Sequence, residues 1–107
     1  MQFLDVARRL LERGGVSVVG TATTSADALR SACELDPDVA VIDVHLGAES
    51  GFDLARALGQ SRNPAVIMTS ATPEEEFAES LALTPALGFV RKSALSAGVI
   101  NEFYAAG

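Results

Sequence analysis

The tightest constraint in this chain is the run Val39, Ala40, Val41, Ile42, which ends on Asp43. Consecutive apolar residues, most of them β-branched, leave the segment no polar face. That is the pattern of a strand covered on both sides, as in a parallel sheet flanked by helices. A carboxylate at the end of such a strand is costly to bury without a compensating partner. The carboxyl ends of the strands are also where open α/β sheets place ligands and chemistry. Gly47, Ser50 and Gly51 follow as a loop, and Ser50 with Asp53 three residues on reads as a helix-start pair.

The rest of the chain repeats the same alternation. Phe3, Val6, Ala7 and Leu10 share one helical face, with Arg8, Arg9 and Arg13 off it, and Gly14-Gly15 stops that helix. Residues 16–20 are valine-rich and read as a short strand. Thr24 with Asp27 caps a second helix whose inward face is Ala28, Leu29, Ala32 and Cys33. Asp36-Pro37-Asp38 is a turn into the Val39 strand. A third helix spans residues 50–58, a polar loop residues 59–64, and a buried strand residues 65–69. Thr72-Pro73-Glu74-Glu75 carries a cap, a proline at the first helical position and acids in the first turn, the strongest helix start in the sequence. Thr84-Pro85 stops that helix, residues 88–91 form a last strand, and Ser93 or Ser96 opens a final helix ending near Ala106. The order α-β-α-β-α-β-α-β-α, with short connections, predicts a doubly wound parallel sheet with helices on both faces, one domain over residues 1–107.

Composition narrows the function. Apolar residues are 49% and charged residues 21% of the chain, which is globular rather than disordered. A net charge of -6 argues against nucleic acid or an anionic membrane surface as the direct partner. Cys33 is the single cysteine, so no internal disulfide forms and a reducing compartment is expected. No apolar run approaches the ~18 residues of a membrane span, and the N-terminus has no signal-peptide pattern. The expected location is the cytoplasm.

Three residues then stand at equivalent places. Asp43 closes one strand, Ser70 the next (VIMTS) and Lys92 the last (GFVRK). Parallel strands present the same end to the same side, so all three fall along one rim. A carboxylate, a hydroxyl and an ammonium converging there suit phosphoryl chemistry: the carboxylate as nucleophile, the lysine as a point charge for phosphoryl oxygens, the hydroxyl as a hydrogen-bond donor. Plainer readings exist for each. An Asp at a strand end is often a turn former, a Ser after a strand is commonplace, and a Lys at an edge-strand end is usually a solvated charge. His45, the single histidine, reads as a variable loop residue. Glu74, Glu75 and Glu76 read as a helix N-terminus favoured by the macrodipole, and Phe89 and Tyr104 as core or edge aromatics.

The three motifs together resemble the receiver domain of bacterial two-component response regulators, over nearly the whole chain: VAVIDV before an L-G-x-x-x-G-F-D-L loop and helix, VIMTSA, and GFVRKS. The resemblance implies a flavodoxin-like sheet in the order 2-1-3-4-5. It implies Asp43 as phosphoacceptor, Ser70 as switch hydroxyl, Lys92 as the phosphate-pairing lysine, and Phe89 near an aromatic position that turns inward on activation. It implies phosphoryl transfer from a histidine kinase or phosphotransfer protein, partly self-catalysed, without turnover of a free substrate. The surface around the fourth helix, last strand and fifth helix would then change its partner affinity. A homodimer is compatible with it.

The departures are as specific. The family opens with a strand ending in a pair of acids that hold Mg²⁺ with the phosphoacceptor, and this sequence starts after that place. It therefore reads as an N-terminally truncated receiver of about four strands and five helices. Asp43 and the main-chain carbonyl of His45 remain as metal ligands, so Mg²⁺ is expected to bind weakly or not at all. The missing strand belongs between the Val16 and Val39 strands. Its absence predicts either direct pairing of residues 16–20 with residues 39–44, or filling of the slot by another chain. Two rival functions remain: a degenerate receiver acting as a phosphorylation-independent interaction module, and a small flavodoxin-like cofactor binder. The latter needs a phosphate loop after a first strand, and none is present.

Overall fold

The computed structural model describes residues 2–46, 48–59 and 64–106, without the side chains of residues 2–4 and 106. Five α-helices surround a small parallel sheet. They are α1 (Gln2–Arg13), α2 (Ser25–Leu35), α3 (Gly51–Leu58), α4 (Ala78–Ala82) and α5 (Ala97–Ala106). The strands are β1 (Val39–Asp43), β2 (His45–Leu46), β3 (Glu49–Ser50), β4 (Ala65–Ser70) and β5 (Gly88–Arg91). β1, β4 and β5 form a three-stranded sheet in that order, while β2 and β3 make a separate two-stranded hairpin. Both pairings in the sheet are parallel, with Asp43 opposite Thr69 and Ser70 opposite Arg91.

The unbroken apolar runs explain why the sheet forms here. Alternate residues of each strand feed two apolar clusters on opposite faces. Ile42, Val66 and Met68 pack with Phe52, Leu54 and Leu58 of α3. Ile67 and Val90 pack with Leu11 of α1 and with Ala97 and Ile100 of α5. β4 lies in the centre, and Ile67, Met68, Thr69 and Ser70 are its most deeply buried side chains. The α/β class and the parallel sheet are as the alternation predicts.

Several local expectations are corrected. Residues 16–20 form no strand and do not pair with residues 39–44; β1 is an edge strand. The sheet among the described residues is thus one strand narrower than the sequence suggests. Valine content favours extended backbone but cannot by itself supply a ladder partner. On α1 it is Ala7 and Leu11 that pack inward, whereas Val6 and Leu10 are 61% and 43% exposed; the Phe3 side chain lies outside the described residues. On α2 Ala28 and Ala32 face the core, but Leu29 and Cys33 are exposed and no residue of this helix is buried. With no strand packed beneath it, α2 covers little. Thr24 does cap α2, accepting the Asp27 N–H at 3.2 Å. Ser50 caps α3 by accepting from Phe52, while Asp53 pairs with Arg56 instead of closing a capping box.

Thr72 caps nothing. Its N–H donates to Ser70 Oγ at 3.1 Å, Pro73 takes the cap position, and Glu74–Phe77 winds as a 3₁₀ turn before a single turn of α4. The acids open a tighter helix than their spacing suggests. At the far end Ser96, not Ser93, caps α5 by accepting the Val99 N–H. Of the predicted loops, Gly47 and residues 60–63 lie outside the described residues.

Candidate phosphoacceptor site

Three strand ends build the site. β1 delivers Asp43, β4 delivers Thr69 and Ser70, and the residue after β5 is Lys92. The parallel registers bring them to one rim. Lys92 Nζ lies 2.6 Å from Asp43 Oδ2, with the two side chains 28% and 21% exposed. The other carboxylate oxygen, Oδ1, accepts the His45 N–H at 2.9 Å. Both oxygens therefore have positive partners, which offsets their desolvation. The pair also fixes the carboxylate plane.

Ser70 is 1% exposed and reaches the rim from the central strand. Its Oγ accepts the Thr72 N–H, so its own hydroxyl proton is left to donate elsewhere. Thr69 points into the sheet interior and donates to Val90 O at 2.6 Å, clamping β4 to β5 just beneath the rim. Arg91 Nη2 donates to Ala71 O at 3.3 Å and braces the segment leaving β4. All three sequence-predicted residues are thus brought to one rim, and the Asp43–Lys92 contact is direct.

Sequence reasoning missed the packing role of two further contributors. Gly51 opens α3 against the end of β1: a Cβ there would stand 1.9 Å from the Asp43 carbonyl oxygen, and its N–H donates to Val44 O. Only a residue with no side chain allows this approach. The second contributor is an aromatic chain. The ring of Phe77, on the 3₁₀ turn, lies 5.9 Å from His45, 5.9 Å from Phe52 and 6.2 Å from Phe89, centroid to centroid. These are edge-on or tilted contacts of the ordinary attractive kind. His45, beside the phosphoacceptor candidate, is thereby joined to Phe89 on β5. The sequence around Phe77 gave no signal for this, because the contacts run between distant segments.

The metal site of the family is tested by the donor set. Magnesium wants near-octahedral oxygen coordination with more than one anionic ligand or substrate oxygens. Here one carboxylate is available, and Lys92 already engages it. Among the described residues no group of three or more His, Cys, Asp or Glu side chains converges. Asp36 and Asp38 precede β1 and so stand at its opposite end. The residues present do not fit a resident Mg²⁺.

A parallel α/β sheet with an aspartate, a buried hydroxyl and a lysine on its carboxyl rim defines a receiver-like fold. Comparison with known proteins agrees. The response regulator receiver domain family matches residues 2–102, and the chain belongs to that family. It is similar to the sensory transduction protein LytT of Bacillus cereus, 32% identical over 89 residues, which are 82% of this chain and 36% of that protein. It is also similar to the response regulator GacA of Pseudomonas aeruginosa, 32% identical over 90 residues, 83% of this chain and 42% of that one. The chain thus spans well under half the length of these relatives. Among solved structures, the receiver domain of the response regulator NarL of Mycobacterium tuberculosis superposes with a TM-score of 0.86 at 26% identity, covering 99% of this chain and 90% of that one. The protein is a response regulator receiver domain of the two-component type. No helix among the described residues is long and apolar enough to cross a membrane.

Proposed function

We propose that Asp43 accepts a phosphoryl group from a phosphohistidine donor, a histidine kinase or a phosphotransfer protein, in the cytoplasm, residues 1–107 acting as one receiver unit. The supporting observation is the 2.6 Å contact between Asp43 Oδ2 and Lys92 Nζ on the rim that Ser70 shares. An Asp43 oxygen attacks phosphorus, and the phosphorus–nitrogen bond to the donor imidazole breaks. The bonding electron pair returns to that nitrogen, which takes up a proton. The product is an acyl phosphate carrying roughly two negative charges. Lys92 follows the new phosphoryl oxygens as a point charge, and the Ser70 hydroxyl donates to one of them. Because Ser70 Oγ holds the Thr72 N–H, that movement pulls on the segment leading to Phe77. Phe77 then repacks against His45 and Phe89, which alters the α4–β5 surface offered to a partner.

A second reading is favoured by the donor set. With one carboxylate at the rim and no converging acids among the described residues, the chain also suits a phosphorylation-independent interaction module. Intact-mass spectrometry after acetyl phosphate separates the two. The first reading expects one added phosphoryl group that Asp43→Asn abolishes. An unmodified wild-type mass under all conditions, Mg²⁺ included, supports the second. Labelling that survives Asp43→Asn removes Asp43 as acceptor.

A further inference from the structure

The β2–β3 hairpin begins just past Asp43 and is tied to several parts of the molecule. At its base Gly51 N–H donates to Val44 O, and Val44 N–H donates to Thr69 O. Along it His45 lies opposite Ser50, and Leu46 opposite Glu49. His45 gives its N–H to Asp43 Oδ1 at 2.9 Å and sets its ring against Phe77. Leu46 packs against the apolar cluster that includes α3. The last tie leaves the rim altogether. Glu49 Oε1 accepts the N–H of Ser25, the first residue of α2, at 2.9 Å and across 24 residues of sequence. Thr24 Oγ1 accepts the Asp27 N–H at the same helix end, so the two acceptors serve different orphan donors.

Both sides of the Glu49–Ser25 contact need it. A helix start presents free N–H groups and the positive end of the macrodipole, so a carboxylate is a favoured acceptor there. The bond is charge-assisted and of ordinary length. α2 buries no residue of its own. The hairpin has two residues in each strand, too few to hold its shape without outside support. A shift of Glu49 is thus a shift of the strand pair that presents His45. We propose that Glu49 is a positioning residue for Asp43. By holding the Ser25 N–H it fixes the hairpin against α2, and so keeps the His45 N–H on Asp43 Oδ1 and the His45 ring on Phe77. With Oδ1 on His45 and Oδ2 on Lys92, the carboxylate plane does not swing. The effect on phosphoryl uptake rests on the phosphoacceptor reading; the effect on the geometry of the rim does not. The plainer reading is that Asp43 and His45 form an Asx turn that holds itself. It predicts that changes at α2 leave His45 untouched.

Ser25→Pro isolates the contact. Ser25 opens α2, where proline is accommodated. Thr24 before it is already extended, at φ -129° and ψ 157°, as a residue before proline prefers to be. The substitution deletes the N–H that Glu49 accepts and leaves every side chain at the rim in place. Exchange of the His45 amide is followed by NMR on the full chain. Asp43 labelling by acetyl phosphate with Mg²⁺ is followed by intact mass. Ser25→Pro and Glu49→Ala should each speed His45 exchange and slow labelling by about tenfold, the size of one charge-assisted hydrogen bond. The double variant should be no worse than either single one, because both remove the same contact. Glu49→Gln keeps an acceptor oxygen on a stem of the same length and should restore most of both readouts. Thr24→Ala weakens the same helix end through a different N–H, and its His45 exchange should stay closer to the wild type than to Glu49→Ala. Unchanged His45 exchange in Ser25→Pro and Glu49→Ala overturns the proposal in favour of the self-held turn. Additive losses in the double variant overturn it, as does an equal effect of Thr24→Ala. Faster His45 exchange with an unchanged labelling rate shows a tether that does not serve Asp43, and overturns it too. Should Ser25→Pro fail to fold, Glu49→Ala and Glu49→Gln decide between them. If the wild type takes no label, the phosphoacceptor reading fails, and His45 exchange alone decides on Glu49.

Discussion

The shared rim of Asp43, Ser70 and Lys92 was legible because each stands at, or just after, the end of a strand, and the end of a buried parallel strand is a place that sequence can mark. Gly51 was not. Its importance lies in a distance, the 1.9 Å that a Cβ would leave to the Asp43 carbonyl, and no local pattern encodes the approach of α3 to β1. Gly51→Ala is therefore expected to destabilise the protein by an amount at the upper end of about 1–3 kcal/mol, read as a lower midpoint in urea unfolding. It should also slow Asp43 labelling, because α3 can yield only by moving the rim. Lys92→Ala has the opposite profile. On the proposed function it removes the partner of the phosphoryl oxygens and leaves the nucleophile, so labelling by acetyl phosphate should persist, while the change in α4–β5 amide exchange expected to follow labelling in the wild type should shrink. An unaltered exchange response in Lys92→Ala would show that the lysine does not carry the signal.

At the scale of the element, two threonines with similar sequence surroundings part company. Thr24 accepts the Asp27 N–H as a helix cap should, whereas Thr72 gives its own N–H to Ser70 and leaves the cap position to Pro73. Thr24→Ala should cost about 1 kcal/mol, and Thr72→Ala should stay within about 0.5 kcal/mol; a reversed order in thermal melts would contradict the capping assignment. The sequence was similarly ambiguous at residues 16–20. Local propensity there is extended, but a strand exists only when a partner edge meets it, and that is a tertiary fact. β4, by contrast, was legible because its apolar run sits between two others of the same kind. Native-state exchange should reflect this: amides of residues 17–23 should exchange orders of magnitude faster than those of Ile67, Met68 and Thr69. Comparable protection of both segments would mean that a ladder closes over residues 16–20 in solution.

For the whole molecule, the groove of about 690 Å³ between β1 and residues 16–23 bears on the stability. The radius of gyration is 12.6 Å, close to the ~13 Å of a packed chain of this length, so the helices have not splayed apart; the unfilled volume lies inside the layer they cover. The groove leaves room for further apolar side chains, each worth about 1.5–3 kcal/mol when buried. Ordinary folded chains keep only about 5–15 kcal/mol in total. The consequences are visible on Leu35 of α2 and on Val19, 47% and 52% exposed, both of which line the groove. The chain alone should therefore melt broadly and at the low end of, or below, the ~45–65 °C range of mesophilic domains. A ligand that fills the groove should raise that midpoint in proportion to the logarithm of its concentration, because it binds only the folded form. Differential scanning calorimetry on dilute protein checks the first statement. A sharp two-state transition of a monomer above about 60 °C would mean that β1, β4 and β5 with their helices hold the fold without a strand in the groove, and that the unpaired edges of Val39, Val41 and Asp43 are satisfied by water at little cost.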